Sequence, residues 1–345
     1  MTTTQTTPTS ASSASVGSRL IHLLRRRETS ILVAIVVMIV VTTAVRPTFV
    51  FSGDGWRSLL LNPAIYIVLA IGVSFVIISR SVDLSVGSTM GLTAFAIGSL
   101  YIAWPGMPTV VAFVVGTVFG GLLGLVNGGL VAIAKVPGMV ITLGTMYIFR
   151  GINILWAGTT RINASQMGTD FLAFGNAQVV GIPALTILAV IVAVVAGWYL
   201  YSTRSGRELY AMGSAPEAAE LYGLSVRRRA LMSFVVSGAM AGLAGVMFAA
   251  RYGTIASNAG TGYELQAIGA AVIGGVAITG GVGTVAGAAF GAFLLATINS
   301  ALPVLGIDSL WQRAVVGALI LAAIILDRVL SVRQKRRLIA ERMEP

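Results

Sequence analysis

Arg204-Ser205-Gly206-Arg207-Glu208-Leu209-Tyr210-Ala211-Met212-Gly213-Ser214-Ala215-Pro216-Glu217-Ala218-Ala219-Glu220-Leu221-Tyr222-Gly223-Leu224-Ser225-Val226-Arg227-Arg228-Arg229 is the longest polar interruption between two apolar blocks of this chain. Ser214 stands three residues before Glu217, with Pro216 between them. That is the pattern of a capping box with proline in the first turn, so a helix is expected to start at Ser214. Gly223 suits the left-handed residue that ends such a helix, which therefore runs to about Tyr222. Ala218, Ala219 and Tyr222 are expected on one side, with Glu217 and Glu220 displaced from them. An isolated helix of two turns is marginal in water. Two readings stay open for it: a helix packed into a partner's groove, or a solvated loop between two membrane spans.

The blocks on either side decide the fold class. Charged residues make up 10% of the chain, against roughly 25% in an ordinary soluble domain. Hydrophobic residues make up 56%, and the mean hydropathy is +0.90. Several apolar runs approach the ~20 residues that cross a bilayer as a helix, and they are continuous rather than alternating as in a transmembrane barrel. The expectation is an all-α polytopic membrane protein with about ten transmembrane helices. Their approximate limits are 30–46, 58–79, 82–104, 108–134, 137–157, 180–202, 230–251, 265–282, 285–304 and 310–327. Polar residues or glycines break the third, fifth and eighth, which are candidates for re-entrant or discontinuous segments. Residues 1–29 form a basic N-terminal tail whose Ser/Thr-rich start lacks an apolar face, the composition of disorder. Residues 328–345 form a basic C-terminal tail, and the transmembrane domain occupies 30–327. The triplet Arg25-Arg26-Arg27 precedes an uncleaved first span rather than an export signal.

Charge tests the threading. With the N-terminus inside, 17 of the 23 basic residues fall on the inner side. Arg46, Arg57, Arg150, Arg161, Arg251 and Arg313 lie outside or within spans. This asymmetry predicts both termini in the cytoplasm, in a plasma or inner membrane, and places 203–229 there too. It also accounts for the net charge of +11 without a nucleic acid. There is no cysteine, and the one histidine, His22, precedes the first span. Disulfides and thiolate metal sites are excluded, and no cofactor or metal is expected. No Walker-type phosphate loop and no H-E-x-x-H is present, so the chain is not expected to be an enzyme. If the chain takes part in active transport, the energy must come from another subunit.

Glycine accounts for 41 of 345 residues. Gly116, Gly120, Gly124 and Gly128 recur every four residues, as do Gly283, Gly287 and Gly291, while Gly238 and Gly242 form a further pair. Small residues at this spacing let helices approach closely, and packing within one subunit is favoured over a dimer interface. Phe49–Asp54 and Ala164–Asn176 are expected as external loops. Polar side chains inside spans face cavities or neighbouring helices. The candidates for lining a passage are Asn62, Asn127, Asn153, Asn299 and Gln312, with Thr142, Thr145, Thr186 and Thr297 beside them. The acidic residues fall at predicted span ends or in loops, which argues against ion coupling and suits a neutral, polyhydroxylated cargo. Asp83 opens Asp83-Leu84-Ser85-Val86-Gly87-Ser88 and is expected to cap the third segment and pair with Arg80. Arg150 is expected to snorkel outward, the alternative being that it lines a passage.

Three stretches carry a family resemblance. Asp83-Leu84-Ser85-Val86-Gly87-Ser88 resembles a signature of the ribose/xylose-type permeases of carbohydrate-importing ABC transporters. Gly206-Arg207-Glu208-Leu209-Tyr210-Ala211-Met212-Gly213, followed by Ser214, Glu217, Ala218, Ala219, Tyr222 and Gly223, resembles their ATPase-coupling segment. Gly262-Tyr263-Glu264-Leu265-Gln266-Ala267-Ile268, with Gly274-Gly275 and Gly280-Gly281-Val282-Gly283, resembles a third signature. The likeness covers about 30–327, and the stretch from Trp156 to Met167 resembles the rhamnose/autoinducer-2 branch. The resemblance implies two permease subunits, identical or homologous, around a passage for a monosaccharide or similar small solute. It also implies two ABC ATPase subunits beneath them and an extracytoplasmic sugar-binding protein. The alternative is an ion-coupled secondary sugar transporter.

Overall fold

The computed structural model describes residues 27–308 except Gly53 and Lys135, together with scattered positions between 311 and 325. His22, Gln312, both tails and most of the tenth apolar segment lie outside the described residues. The described helices are α1 (Arg27–Val45), α2 (Thr48–Phe51), α3 (Gly55–Ile78), α4 (Val86–Ala103), α5 (Thr109–Ala134), α6 (Gly138–Ala157), α7 (Thr169–Asn176), α8 (Ala184–Ser202), α9 (Arg204–Ser214), α10 (Pro216–Leu221), α11 (Val226–Tyr252), α12 (Tyr263–Ile273) and α13 (Val285–Val304). A two-residue hairpin pairs β1 (Gln178–Val179) with β2 (Ile182–Pro183).

Eight helices among the described residues are long and apolar enough to cross a membrane: α1, α3, α4, α5, α6, α8, α11 and α13. The third and fifth apolar segments are therefore continuous helices, α4 and α6. The eighth is not a span. It holds only α12, eleven residues long, which ends at Gly274-Gly275, where Gly275 has φ +98°. The stretches expected as external loops are partly helical, containing α2 and α7.

The centre of the fold is α3, apolar on all sides and buried almost throughout from Leu61 to Ile78, as a helix enclosed by others must be. Pro63 interrupts its backbone ladder, and Thr186 Oγ1 of α8 donates to the nearby Leu60 carbonyl at 2.9 Å. In lipid, apolar contact alone does not draw helices together, so close packing has to. The regularly spaced glycines serve this purpose within the chain. A Cβ at Gly238 of α11 would lie 2.7 Å from the Cα of Gly124 in α5, and one at Gly242 would lie 2.9 Å from the Cα of Gly120. The two backbones touch with no room for a methyl group.

The chain from Gly253 to Gly262 inserts along α4. Ile255 exchanges backbone hydrogen bonds with Ile162 and packs at Gly98, while Ala259 lies at Gly91 and Gly260 at Gly87. The inserted segment thus descends α4 from its C-terminal to its N-terminal end, and α12 begins deep in the bundle. Such non-helical backbone at membrane depth is tolerated only where protein or a water-filled cavity surrounds it.

Candidate functional site: a polar strip in the bundle and its link to a basic helical arm

Three partly buried polar or aromatic contacts tie α3, α12 and α13 into a triangle. Asn62 Nδ2 of α3 donates to Ser300 Oγ of α13 at 3.4 Å. Asn299 Nδ2 of α13 donates to Gln266 Oε1 of α12 at 3.2 Å. Tyr263 of α12 stacks on Tyr66 of α3, with ring centroids 4.9 Å apart and planes within 6°. None of these side chains is fully buried. Polar groups that are accessible inside an apolar bundle mark a wet surface. Sequence reasoning named Asn62 and Asn299 but missed Tyr66, Tyr263 and Gln266, because an aromatic in an apolar run carries no sign of which way it faces.

Asn127 and Asn153 play a different part. Both are buried. Asn127 Nδ2 donates to Ser85 Oγ at 2.7 Å, and Asn153 Nδ2 holds the Ser257 carbonyl of the inserted segment at 2.9 Å. Asn127 braces the Ser85 side chain and Asn153 the inserted backbone, rather than lining the strip.

Beside the strip, Arg150 Nη2 of α6 donates to Glu264 Oε1 at 3.2 Å. Glu264 is 7% exposed, and its other oxygen accepts from Gly262 N at 3.1 Å. The expectation that Arg150 snorkels outward is thus wrong, and Glu264, expected near a span end or in a loop, is buried in the bundle. The insertion before α12 carries Glu264 into the bundle, and a buried carboxylate there draws in the one arginine within reach. At the start of α12 the glutamate also faces the partial positive charge of the helix end.

Asp83 is 1% exposed and pairs with no arginine among the described residues. Its Oδ1 accepts from Ser85 N at 2.9 Å and Ser85 Oγ at 2.7 Å, and its Oδ2 accepts from Ser237 Oγ at 2.9 Å. Ser85, not Asp83, occupies the cap position of α4. Arg80 is left-handed, with φ +66°, and exposed, so the expected ion pair does not form. Leu84 N donates to Thr142 Oγ1 at 3.1 Å, and Thr142 donates in turn to the Val82 carbonyl at 3.0 Å. Asp83, Leu84 and Ser85 are therefore a structural knot that pins the 79–85 connection to α5, α6 and α11. Gly87 completes it by admitting Gly260 and Glu264 against its Cα.

The 203–229 arm consists of α9, α10 and the first turn of α11. Thr203 caps α9 by accepting from Gly206 N at 3.0 Å, and Gly206 packs against the end of α8. Glu208 binds Arg204 Nε at 2.8 Å and Arg229 Nε at 2.6 Å. Burial alone would raise its pKa, but these two guanidiniums outweigh it and hold the carboxyl below its ordinary value of 4.5. Arg207 is exposed and donates Nη1 to the Ser202 carbonyl at 3.0 Å.

Ser214 does not start the next helix. It is the last residue of α9, and its hydroxyl donates back to the Tyr210 carbonyl at 2.9 Å, a local bond that competes with capping. Ala215 stands at the cap of α10 without a side-chain bond, and Pro216 is its first residue. The end of α10 is as expected. Gly223 is left-handed at φ +77°, and Leu224 N donates to the Ala219 carbonyl at 3.0 Å, closing a Schellman turn. The expected face is corrected, however. Ala219 is buried against the body at 5% exposure, while Leu221 and Tyr222 stand out at 89% and 88%. Ala218 and Glu217 are exposed with them. A six-residue helix set by its end turn presents different residues from those of a longer helix begun at Ser214.

The arm meets the bundle at a three-way junction. A Cβ at Gly213 would lie 2.6 Å from Gly281 N and closer still to the Ile78 carbonyl. Gly281 N donates to that same carbonyl at 2.9 Å. The end of α9, the end of α3 and the connection leaving α12 thus meet backbone to backbone. Tyr210 OH adds a bond to the Gly283 carbonyl at 2.8 Å.

Residues 57–324 match the family described as "Branched-chain amino acid transport system / permease component". The chain is 32% identical over 326 residues to the "Autoinducer 2 import system permease protein LsrC" of Enterobacter sp. strain 638, covering 94% of each protein. It is 38% identical over 275 residues to the protein of the same name from Salmonella typhimurium, covering 79% of this chain and 78% of the relative. It is 34% identical over 288 residues to the "D-allose transport system permease protein AlsC" of Escherichia coli K12, covering 84% and 87%. No solved structure matches. With eight helices able to cross a membrane and a match over most of its length, the chain belongs to this family of transport-system permeases and is a multi-pass inner-membrane permease of the carbohydrate-importing ABC type.

Proposed function

We propose that this chain forms the passage for a monosaccharide or similar small polyhydroxylated solute, and that closure of two separate ATPase subunits drives it. The observation that carries the reading is the junction at Gly213, Ile78 and Gly281, which joins a basic helical arm to the helix that bears the polar strip. The basic side is cytoplasmic in this account, as the distribution of arginines supports. Leu221 and Tyr222 are the anchors that enter an ATPase groove, with Ala218 and Glu217 beside them. Movement of α10 passes through α9 to the junction and from there to α12.

The strip suits the cargo. Asn62, Gln266, Asn299 and Ser300 offer neutral donors and acceptors to hydroxyl groups, and Tyr66 and Tyr263 offer flat faces for the apolar side of a sugar ring. The names of the relatives, one for autoinducer 2 and one for D-allose, support a solute of this class. The family description names branched-chain amino acids, but a zwitterion would need charged partners, and the charged pair beside the strip among the described residues, Arg150–Glu264, is already satisfied. For the same reason Asp83 and Glu264 do not serve as an ion relay: each carboxylate has its bonds filled. The passage is completed by a second permease, a copy or a homologue, and an extracytoplasmic binding protein delivers the solute.

Co-purification with the ATPase chains of the same transport system tests the arm. Association lost on Leu221→Asp or Tyr222→Asp, in a protein that remains folded in detergent, is expected. Association undiminished in both variants would move the contact elsewhere.

A further inference from the structure

A groove of about 1070 Å³ runs along the outside of the bundle between α8 and α13. Val190, Val194 and Trp198 of α8 and Ala289 and Phe293 of α13 line it, and Arg207 stands at its mouth on the basic side. Its walls are apolar except at Thr186, whose hydroxyl is bonded to the Leu60 carbonyl, and at that end. There Glu28 forms the opposite rim and accepts from Thr284 Oγ1 at 2.9 Å. Trp198 and Tyr201, both exposed, lie near the C-terminal end of α8, and aromatic residues gather at the ends of spanning helices. The groove runs down a helix that is itself long enough to cross the bilayer, so what fills it must be apolar along most of its length and polar only at the basic end.

Two observations narrow the occupant. Arg207 makes no ion pair among the described residues; its one bond is to the Ser202 carbonyl. It therefore presents a cation at the interface with donors to spare. None of the described residues of the last apolar segment lines the groove, and Trp311, Leu321 and Ile325 among them are exposed. We propose that the groove seats an acyl chain of a basic-side-leaflet phospholipid whose anionic headgroup lies against Arg207. A phosphatidylglycerol-type headgroup carries net negative charge and meets both demands. A zwitterionic lipid meets only the apolar one. Attraction of an anionic headgroup to one basic residue near the surface corresponds to a preference of about fivefold.

Trp198 is a reporter inside the groove. The full chain is placed in nanodiscs of phosphatidylcholine doped with either dibrominated phosphatidylglycerol or dibrominated phosphatidylcholine. The Trp198 contribution is the difference between the parent and Trp198→Phe. The expected result is that the phosphatidylglycerol probe quenches this contribution at about fivefold lower mole fraction. Arg207→Gln should remove the preference while leaving quenching by both probes. Gly197→Leu should remove quenching altogether, since a Cβ there meets nothing closer than Val285 at 3.8 Å and a longer side chain enters the groove. Equal quenching by both probes in the parent, or a preference that survives Arg207→Gln, overturns the proposal. Absence of quenching by either probe overturns it too, and means that protein, such as a second copy, covers the groove.

Discussion

Replacing Gly213 with alanine puts a methyl group into the junction between the arm and the bundle. Its Cβ would lie 2.6 Å from Gly281 N, where ordinary van der Waals contact begins at 3.4 Å. The gap must open by about 0.8 Å on that side, and by more at the Ile78 carbonyl. Neither neighbour is a flexible side chain; both are backbone, one at the end of α3 and one in the turn after Gly280. The hydrogen bond from Gly281 N to the Ile78 carbonyl, 2.9 Å long, does not survive such a wedge. Its loss costs about 1 kcal/mol, and overpacking adds about 1–3 kcal/mol. The total of about 2–4 kcal/mol falls on the arrangement that couples arm to bundle, a factor of roughly thirty to several hundred in its population. Leu221 and Tyr222 are untouched, so the ATPase chains should still bind. In proteoliposomes with ATPase and binding protein, Gly213→Ala should lower ATP-driven uptake at least tenfold while co-purification with the ATPase stays at the parent level. Gly129→Ala serves as a control, because a Cβ there meets nothing within 4 Å. Parent-level uptake by Gly213→Ala would refute the junction as the route of coupling.

Arg150→Met leaves Glu264 buried without its partner and should destabilise the protein by about 3–5 kcal/mol, whereas Arg150→Met combined with Glu264→Leu should recover most of this; thermal unfolding in detergent followed by size-exclusion chromatography reads both. Ala219→Arg drives a charge into the bundle beneath α10 and should abolish folding, while Ala218→Arg should leave a folded protein that fails to hold the ATPase; chromatographic profile and co-purification separate the two. The folded pKa of Glu208 is lowered by Arg204 and Arg229, so its contribution to stability is complete above about pH 4.5 and is lost as the pH falls through the lowered value. Glu208→Gln should flatten that part of the stability profile, which melting scans from pH 7 down to about pH 3 detect.

The membrane class, the boundaries of most spans and the small-residue seam between α5 and α11 were legible because each rests on a period or a composition. Three features were not, and each failed for a separate physical reason. The eighth segment, 265–282, reads as a candidate re-entrant or discontinuous segment, but the insertion before α12 goes unread, although Gly260, Gly262, Gly275, Gly280 and Gly281 all adopt left-handed backbone and so cannot belong to one straight helix. Five such glycines within about twenty residues were the available signal. Ser214 fits the capping pattern, but its hydroxyl finds the Tyr210 carbonyl first, and the face of α10 rotates away from the expected one. Arg150 and Glu264 are 114 positions apart, and no local pattern brings them together. Asp83 was visible as a special residue, but its partners are serines from its own turn and from α11, not the adjacent arginine. The candidate passage residues divided along the same line: Asn62 and Asn299 reach an accessible strip, whereas Asn127 is spent on the Ser85 hydroxyl and Asn153 on the Ser257 carbonyl.

Uptake in proteoliposomes is the most direct test of the central claim. The permease is reconstituted with its binding protein and with either the active ATPase or a hydrolysis-dead variant, and a labelled monosaccharide such as D-allose is supplied with ATP on the ATPase side. The account predicts uptake only with the active ATPase, abolished by removing ATP and unaffected by collapsing proton and sodium gradients. Uptake that persists with the dead ATPase, or that follows an ion gradient instead of ATP, would contradict it.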